Sequence, residues 1–188
     1  MFNAAYYGQR DVVERLIGEG GDVDDAISMG ATALNVASQK GHADVVGLLL
    51  ARGADMDRAR NDGQTPLYVA CENGHHGVAR LLVGAGADLD KAWSENGFTP
   101  LIMASQFGFA DTVKLLIDAG ADLNKVDKNG RAALNTASFF GQKAIVRLLI
   151  DAGADLNVKG NWGTPLKEAN TYNQPEVAAI LKAAGATE

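Results

Sequence analysis

A four-residue phrase returns along the chain at a nearly fixed interval. It reads TALN from Thr32, TPLY from Thr65, TPLI from Thr99, AALN from Ala132 and TPLK from Thr164, with spacings of 33, 34, 33 and 32 residues. Nine residues after each start stands Gly41, Gly74, Gly108 or Gly141 and, in the last copy, Asn173. An aliphatic run follows each time: VVGLLL, VARLLV, TVKLLI, IVRLLI and VAAILK. The first four runs lead into Gly-Ala-Asp, beginning at Gly53, Gly86, Gly120 and Gly153. The N-terminal segment enters the same frame part-way, with Gly8, then VVERLI, then Gly20-Gly21-Asp22. A unit of this size cannot bury its own apolar face, so its copies must stack to share a core.

Each unit has a physical reading. Thr before Pro predicts an N-cap followed by the favoured first helical residue. A short helix follows, with a small residue at Ala37, Ala70, Ala104, Ala137 or Ala169. Glycine ends it. A second, longer helix carries Leu and Ile pairs on one face. A polar stretch with NDG, ENG or KNG then turns the chain.

The recurring TPL-x-x-A, Gly, Leu-Leu and Gly-Ala-Asp resembles the ankyrin repeat over essentially the whole chain. The resemblance implies an all-α ankyrin-repeat solenoid of helix-turn-helix units with projecting β-hairpin loops. It implies one domain over residues 1–188, with an N-cap at about 1–24, units at 25–57, 58–90, 91–124 and 125–157, and a C-cap at 158–188. The ends read as caps: Arg15 stands where other units have Leu48, Leu81, Leu115, Leu148 or Ile180, and Lys167, Glu168 and Asn170 make the last first-helix polar. This predicts a complete small module. Two departures from the family pattern stand out. The position after TPL, usually a His that bridges neighbouring loops, is Asn35, Tyr68, Ile102, Asn135 or Lys167, which questions that network. One loop has an extra residue around Trp93-Ser94, predicting that it stands out of line, and another is a residue short at Val158-Lys159-Gly160.

Little in the chain points to catalysis. Cys71 and His75 are four apart, the spacing of one helix face, but Gly74 falls between them and should end the helix. Cys71 occupies a slot held elsewhere by Ser38, Ser105, Ser138 and Asn170, which predicts core packing. No further His or Cys nearby completes a zinc site, and there is no GxSxG, P-loop or HExxH. Asp22, Asp55, Asp88, Asp122 and Asp155 recur once per unit, a pattern of turn capping rather than paired catalytic carboxylates. The run Asp22-Val23-Asp24-Asp25 lacks the spaced ligands and closing Glu of a calcium loop. The reading is of a non-enzyme with no catalytic residue, metal or cofactor.

Net charge is −6, which argues against a nucleic-acid or anionic-membrane partner. The single cysteine allows no internal disulfide and suits a reducing compartment. No apolar run approaches a bilayer span and no signal peptide is visible. The expectation is a soluble, intracellular, cytoplasmic protein, monomeric and with enough exposed aromatic surface for a weak homodimer.

The aromatics avoid the aliphatic runs, which predicts a core built without them. The resemblance implies that partners dock along the loop tips and first helices. The candidate partner-binding residues there are Arg60, Gln64, Trp93, Phe98 and Phe107, then Lys128, Arg131, Phe139, Phe140 and Trp162. Aromatics and Arg are the types enriched at interfaces. Arg58, Arg60, Lys91, Lys125, Lys128, Arg131 and Lys159 give the loops a basic cast. The expected function is a non-catalytic protein-interaction module. Two alternatives are a substrate of an ankyrin-directed asparaginyl hydroxylase, with Asn124 and Asn157 ending two copies of LIDAGADLN, and a standalone engineered or fragment scaffold.

Overall fold

A computed structural model describes residues 1–188, and the chain divides into two compact units, Met1–Glu95 and Asn96–Glu188. The first holds α1 (Phe2–Tyr6), α2 (Arg10–Gly18), α3 (Ala33–Lys40), α4 (Ala43–Ala51), α5 (Pro66–Glu72) and α6 (His76–Gly84). The second holds α7 (Pro100–Phe107), α8 (Ala110–Asp118), α9 (Ala133–Phe139), α10 (Lys143–Asp151), α11 (Pro165–Thr171) and α12 (Pro175–Ala183). Within the first unit α1, α3 and α5 pack in a row, α2, α4 and α6 form a parallel row, and each pair packs on itself. The second unit repeats this with α7, α9 and α11 against α8, α10 and α12.

The caps explain the short helices. Thr32, Thr65, Thr99 and Thr164 accept from the backbone N–H three residues on, and Pro66, Pro100 and Pro165 open their helices. Gly41, Gly74, Gly108 and Gly141 all have φ between 70° and 81°, and Asn173 takes the same left-handed conformation at 55° as the one non-glycine with positive φ. Asn tolerates that region better than other side chains, so the break in the motif preserves the turn. Val46, Leu49, Leu82, Leu116, Val146, Leu149 and Leu181 are fully buried on the second helices. Tyr68 is also fully buried, so the core of the first unit is not purely aliphatic.

The connecting loops are tight turns with hairpin-type hydrogen bonds rather than strands. Arg60 N–H donates to Gln64 O at 3.0 Å and Gly63 N–H to Arg60 O at 2.8 Å, and Asp127 with Arg131 repeats the arrangement. The only bridges are isolated ones, Ala26 with Thr32 and Gly160 with Gly163. The recurring aspartates cap these loops: Asp55, Asp88, Asp122 and Asp155 each accept from the N–H two residues on, at 2.9 Å. A second set links successive repeats within each unit: Asp24 accepts from Asp55 N–H, Asp57 from Asp88 N–H, and Asn124 from Asp155 N–H. Asn157 accepts from the N–H and hydroxyl of Thr187. The aspartates are therefore structural, and the side-chain oxygens of Asn124 and Asn157 carry the same ladder.

The loop network survives without its histidine. Asn35 accepts from Thr32 N–H at 2.8 Å and donates to Arg58 O at 3.0 Å. Asn135 accepts from Ala132 N–H and donates to Val158 O, Gly163 O and Glu168 Oε1. An amide supplies both a donor and an acceptor, so in these two units it bridges as the imidazole does in the family pattern.

Candidate functional site

The first-helix ends are braced by a device the sequence hid. His42 Nε2 lies 3.1 Å from Tyr6 O and His75 Nε2 lies 3.0 Å from Gln39 O. Gln142 donates to Gln106 O and Gln174 to Phe139 O in the same way. Each side chain lies on the helix-ending glycine of the preceding repeat, where a Cβ on Gly41 would meet the His75 ring at 2.6 Å. His75 thus has a packing role, and fully buried Cys71, whose thiol burial pushes up, belongs to the core. The visible signal was His42, His75 and Gln142 each directly after a helix-ending glycine, with Gln174 after Asn173; its purpose needs the stacking. Phe109 stands at the equivalent sequence position after Gly108, and its ring lies 6.0 Å from that of Phe107.

In the second unit the loops bring Phe98, Arg131 and Trp162 together. The Arg131 guanidinium sits 4.8 Å from the Trp162 ring and 5.9 Å from Phe98. Buried Asp127 holds it, accepting from Nε and Nη2 at 3.2 Å. An Arg so fixed presents the indole at the surface, and Trp162 is 44% exposed. Lys128 beside it is exposed. At the first-helix ends Phe107 is 48% and Phe140 44% exposed. Phe139 is half-buried, 4.7 Å from Phe140 and 4.1 Å from Tyr172. Three accessible rings thus stand in this unit, Trp162 at a loop and Phe107 and Phe140 at first-helix ends.

The first unit differs. Trp93 does not project: its ring lies 5.7 Å from that of Tyr68, and its indole N–H is buried without a hydrogen bond. The extra residue lets Ser94 donate its hydroxyl to Asp62 O, which ties the loop down. Gln64 is buried at the loop base, where its N–H binds Asp62 and its carbonyl accepts from Arg60, so it is not a contact residue. The basic cast of the loops is also weaker than the sequence suggests, because Asp62 pairs with Arg60 at 3.3 Å and Asp127 with Arg131. Acids two or four positions from the cation are easily missed in a linear reading.

One ionisable group stands apart. Glu168 on α11 is fully buried; its Oε1 accepts from Asn135 and its Oε2 makes no hydrogen bond. Burial raises its pKa to about 7, against the smaller lowering by Asn135 and Arg131. The Asp127 carboxylate adds a smaller push in the same direction as burial. No helix is long and apolar enough to cross a membrane.

Comparison with known proteins agrees with the stacking. No curated protein matches the chain. The family model for ankyrin repeats (3 copies) matches residues 1–92 and 85–160. Ankyrin repeats are generally non-catalytic protein-protein interaction modules. Helix pairs in two rows, glycine-ended first helices and that match together mean that the chain belongs to the ankyrin repeat family.

Proposed function

We propose that this protein is a non-catalytic interaction module that binds a protein partner through its loop tips and first helices. The observation that supports it most is the exposure of Phe107, Phe140 and Trp162, at 48%, 44% and 44%, beside a core that closes without them. A large aromatic buries ~150–250 Å² in full, and these three keep a little under half exposed, so together they can add about 200–350 Å² of the ~800 Å² a standard interface takes from one partner. Phe98, Lys128, Arg131 and Phe139 frame these anchors, and Arg60 supplies a further cation in the first unit. The test is affinity capture from lysate with wild type and a Phe107→Ala, Phe140→Ala, Trp162→Ala variant whose helical circular dichroism matches wild type. A partner held by wild type and lost by the variant supports the reading. Retention of every partner by the variant contradicts it.

A further inference from the structure

One buried acid breaks the register of the repeats. The slot four residues after each motif start holds Val36, Val69, Met103 and Thr136, all buried, and in the last repeat Glu168, which is equally buried. A carboxyl group in a core slot is costly unless hydrogen bonds satisfy it, and its Oε2 has no partner. Its Oε1 accepts from Asn135 Nδ2 at 3.2 Å. That same nitrogen lies 3.1 Å from Val158 O and 3.3 Å from Gly163 O. An amide nitrogen carries two hydrogens, so three acceptors compete for two donors. Asn35, at the equivalent position in the first unit, donates to Arg58 O, and the matching slot of the following repeat holds Val69 instead of an acid.

The two competing carbonyls bracket Trp162. Val158 opens its loop, and Gly163 follows the tryptophan directly. Gly163 O also accepts from Gly160 N–H at 3.1 Å. Val158 is only half-buried, so its carbonyl is the one that can turn to water. The charges facing Glu168 belong to the same cluster. From the loop before α9, Arg131 favours its ionised form and Asp127 opposes it. Asp127 in turn holds Arg131 beneath the Trp162 ring. Lys128 and Lys159 on the two loops are exposed, and so is Lys167 on α11. α9 carries no ionisable side chain; on α12, Glu176 and Lys182 are exposed, and Glu176 pairs with Lys143. Burial raises the Glu168 pKa to about 7, so both of its forms are populated near neutrality. A hydrogen bond to an ionised carboxylate is roughly twice as strong as one to a neutral acceptor, which decides the competition for Asn135.

We propose that Glu168 is a proton switch on the Trp162 loop: its ionised carboxylate claims an Asn135 hydrogen, Val158 O lets go, and the loop loosens. The neutral acid leaves both loop carbonyls bound and the indole settled on Arg131. As regulation of the proposed contact the inference rests on the interaction reading, but the loop change itself is read on the free protein. Proton–nitrogen NMR spectra are recorded from about pH 5.5 to about pH 8.5, a range that brackets the transition. The Trp162 indole N–H, assigned by its loss in Trp162→Phe, and the Asn135 side-chain amide should shift together with one midpoint near 7. In the Trp93→Phe protein, Trp162 emission should move to the red and quench more readily with acrylamide at the alkaline end. Glu168→Gln keeps the shape of the neutral acid and should hold the acid-side spectrum throughout. Circular dichroism at both ends of the range checks that each protein is folded. An indole that stays still across the range overturns the proposal, even if the Asn135 amide moves. A titration of the indole that persists in Glu168→Gln also overturns it, since its source is then a histidine or the amino terminus. A loop that titrates while the Phe107, Phe140, Trp162 alanine variant keeps every partner supports the switch and removes the interaction reading. A still loop in a protein whose partner that variant loses does the reverse.

Discussion

The two tryptophans occupy loops of similar sequence character and have opposite fates. In the first unit Trp93 turns in against Tyr68 and loses its N–H to the interior. In the second, Trp162 lies over the guanidinium of Arg131 and stays 44% exposed. The difference comes from the residue each loop meets. Tyr68 stands after TPL, where a ring offers an apolar wall; Asn135 stands at the equivalent place and is spent on loop carbonyls. An aromatic in a repeat loop is thus packing or contact according to its neighbour on the first helix of the preceding repeat.

Truncating the wall should have the largest effect on this contrast. Tyr68→Ala removes a fully buried ring and is expected to cost about 3–5 kcal/mol in urea unfolding. A cost below about 1 kcal/mol would mean that Trp93 needs no such support.

The units also differ in their first-helix acids: Glu168 is sealed in, whereas Glu72 is only half-buried near Arg60. A raised carboxyl pKa means that the folded state holds the proton more tightly, so its contribution is fully present below pH 4.5 and is lost as pH rises through about 7. The span corresponds to about 3 kcal/mol at most. Glu168→Gln should stabilise the chain at pH 8 by about 1–3 kcal/mol and flatten the decline between pH 4.5 and 7. Equal stabilities of the two proteins at pH 8 would show that the buried carboxyl is paired.

Next in size is the direct contrast. Trp93→Ala should cost about 1–2 kcal/mol because a half-buried ring is removed, and Trp162→Ala less than about 0.5 kcal/mol because its site is at the surface. The reverse order in chemical denaturation would undo the comparison. Smallest is Asn173→Gly, expected to add about 0.5–1 kcal/mol by relieving a positive φ at the one repeat that lacks glycine. A loss of stability would mean that the Asn side chain does more than tolerate the turn.

The elements were legible because their signals are local. Thr65 and Pro66, or Thr99 and Pro100, carry a cap within four residues, and Gly41 carries a helix end by itself. The candidate site was legible only in part. Phe107, Phe140 and Trp162 stand where the register put them, at the surface. The burial of Gln64, the inward turn of Trp93 and the pairing of Arg60 and Arg131 depend on what lies across a turn or in the adjoining repeat. The braces from His42 and His75 were equally hidden, since a residue after a glycine has no meaning until the preceding carbonyl lies beneath it.

The central claim is that Trp162 touches the partner and Trp93 does not. Two single-tryptophan proteins, Trp93→Phe and Trp162→Phe, test it by fluorescence with the captured partner. The account predicts that emission of the protein retaining Trp162 shifts to the blue and resists acrylamide quenching on binding, while that of the protein retaining Trp93 is unchanged. A response from Trp93 alone, or from neither residue with the partner bound, would contradict it.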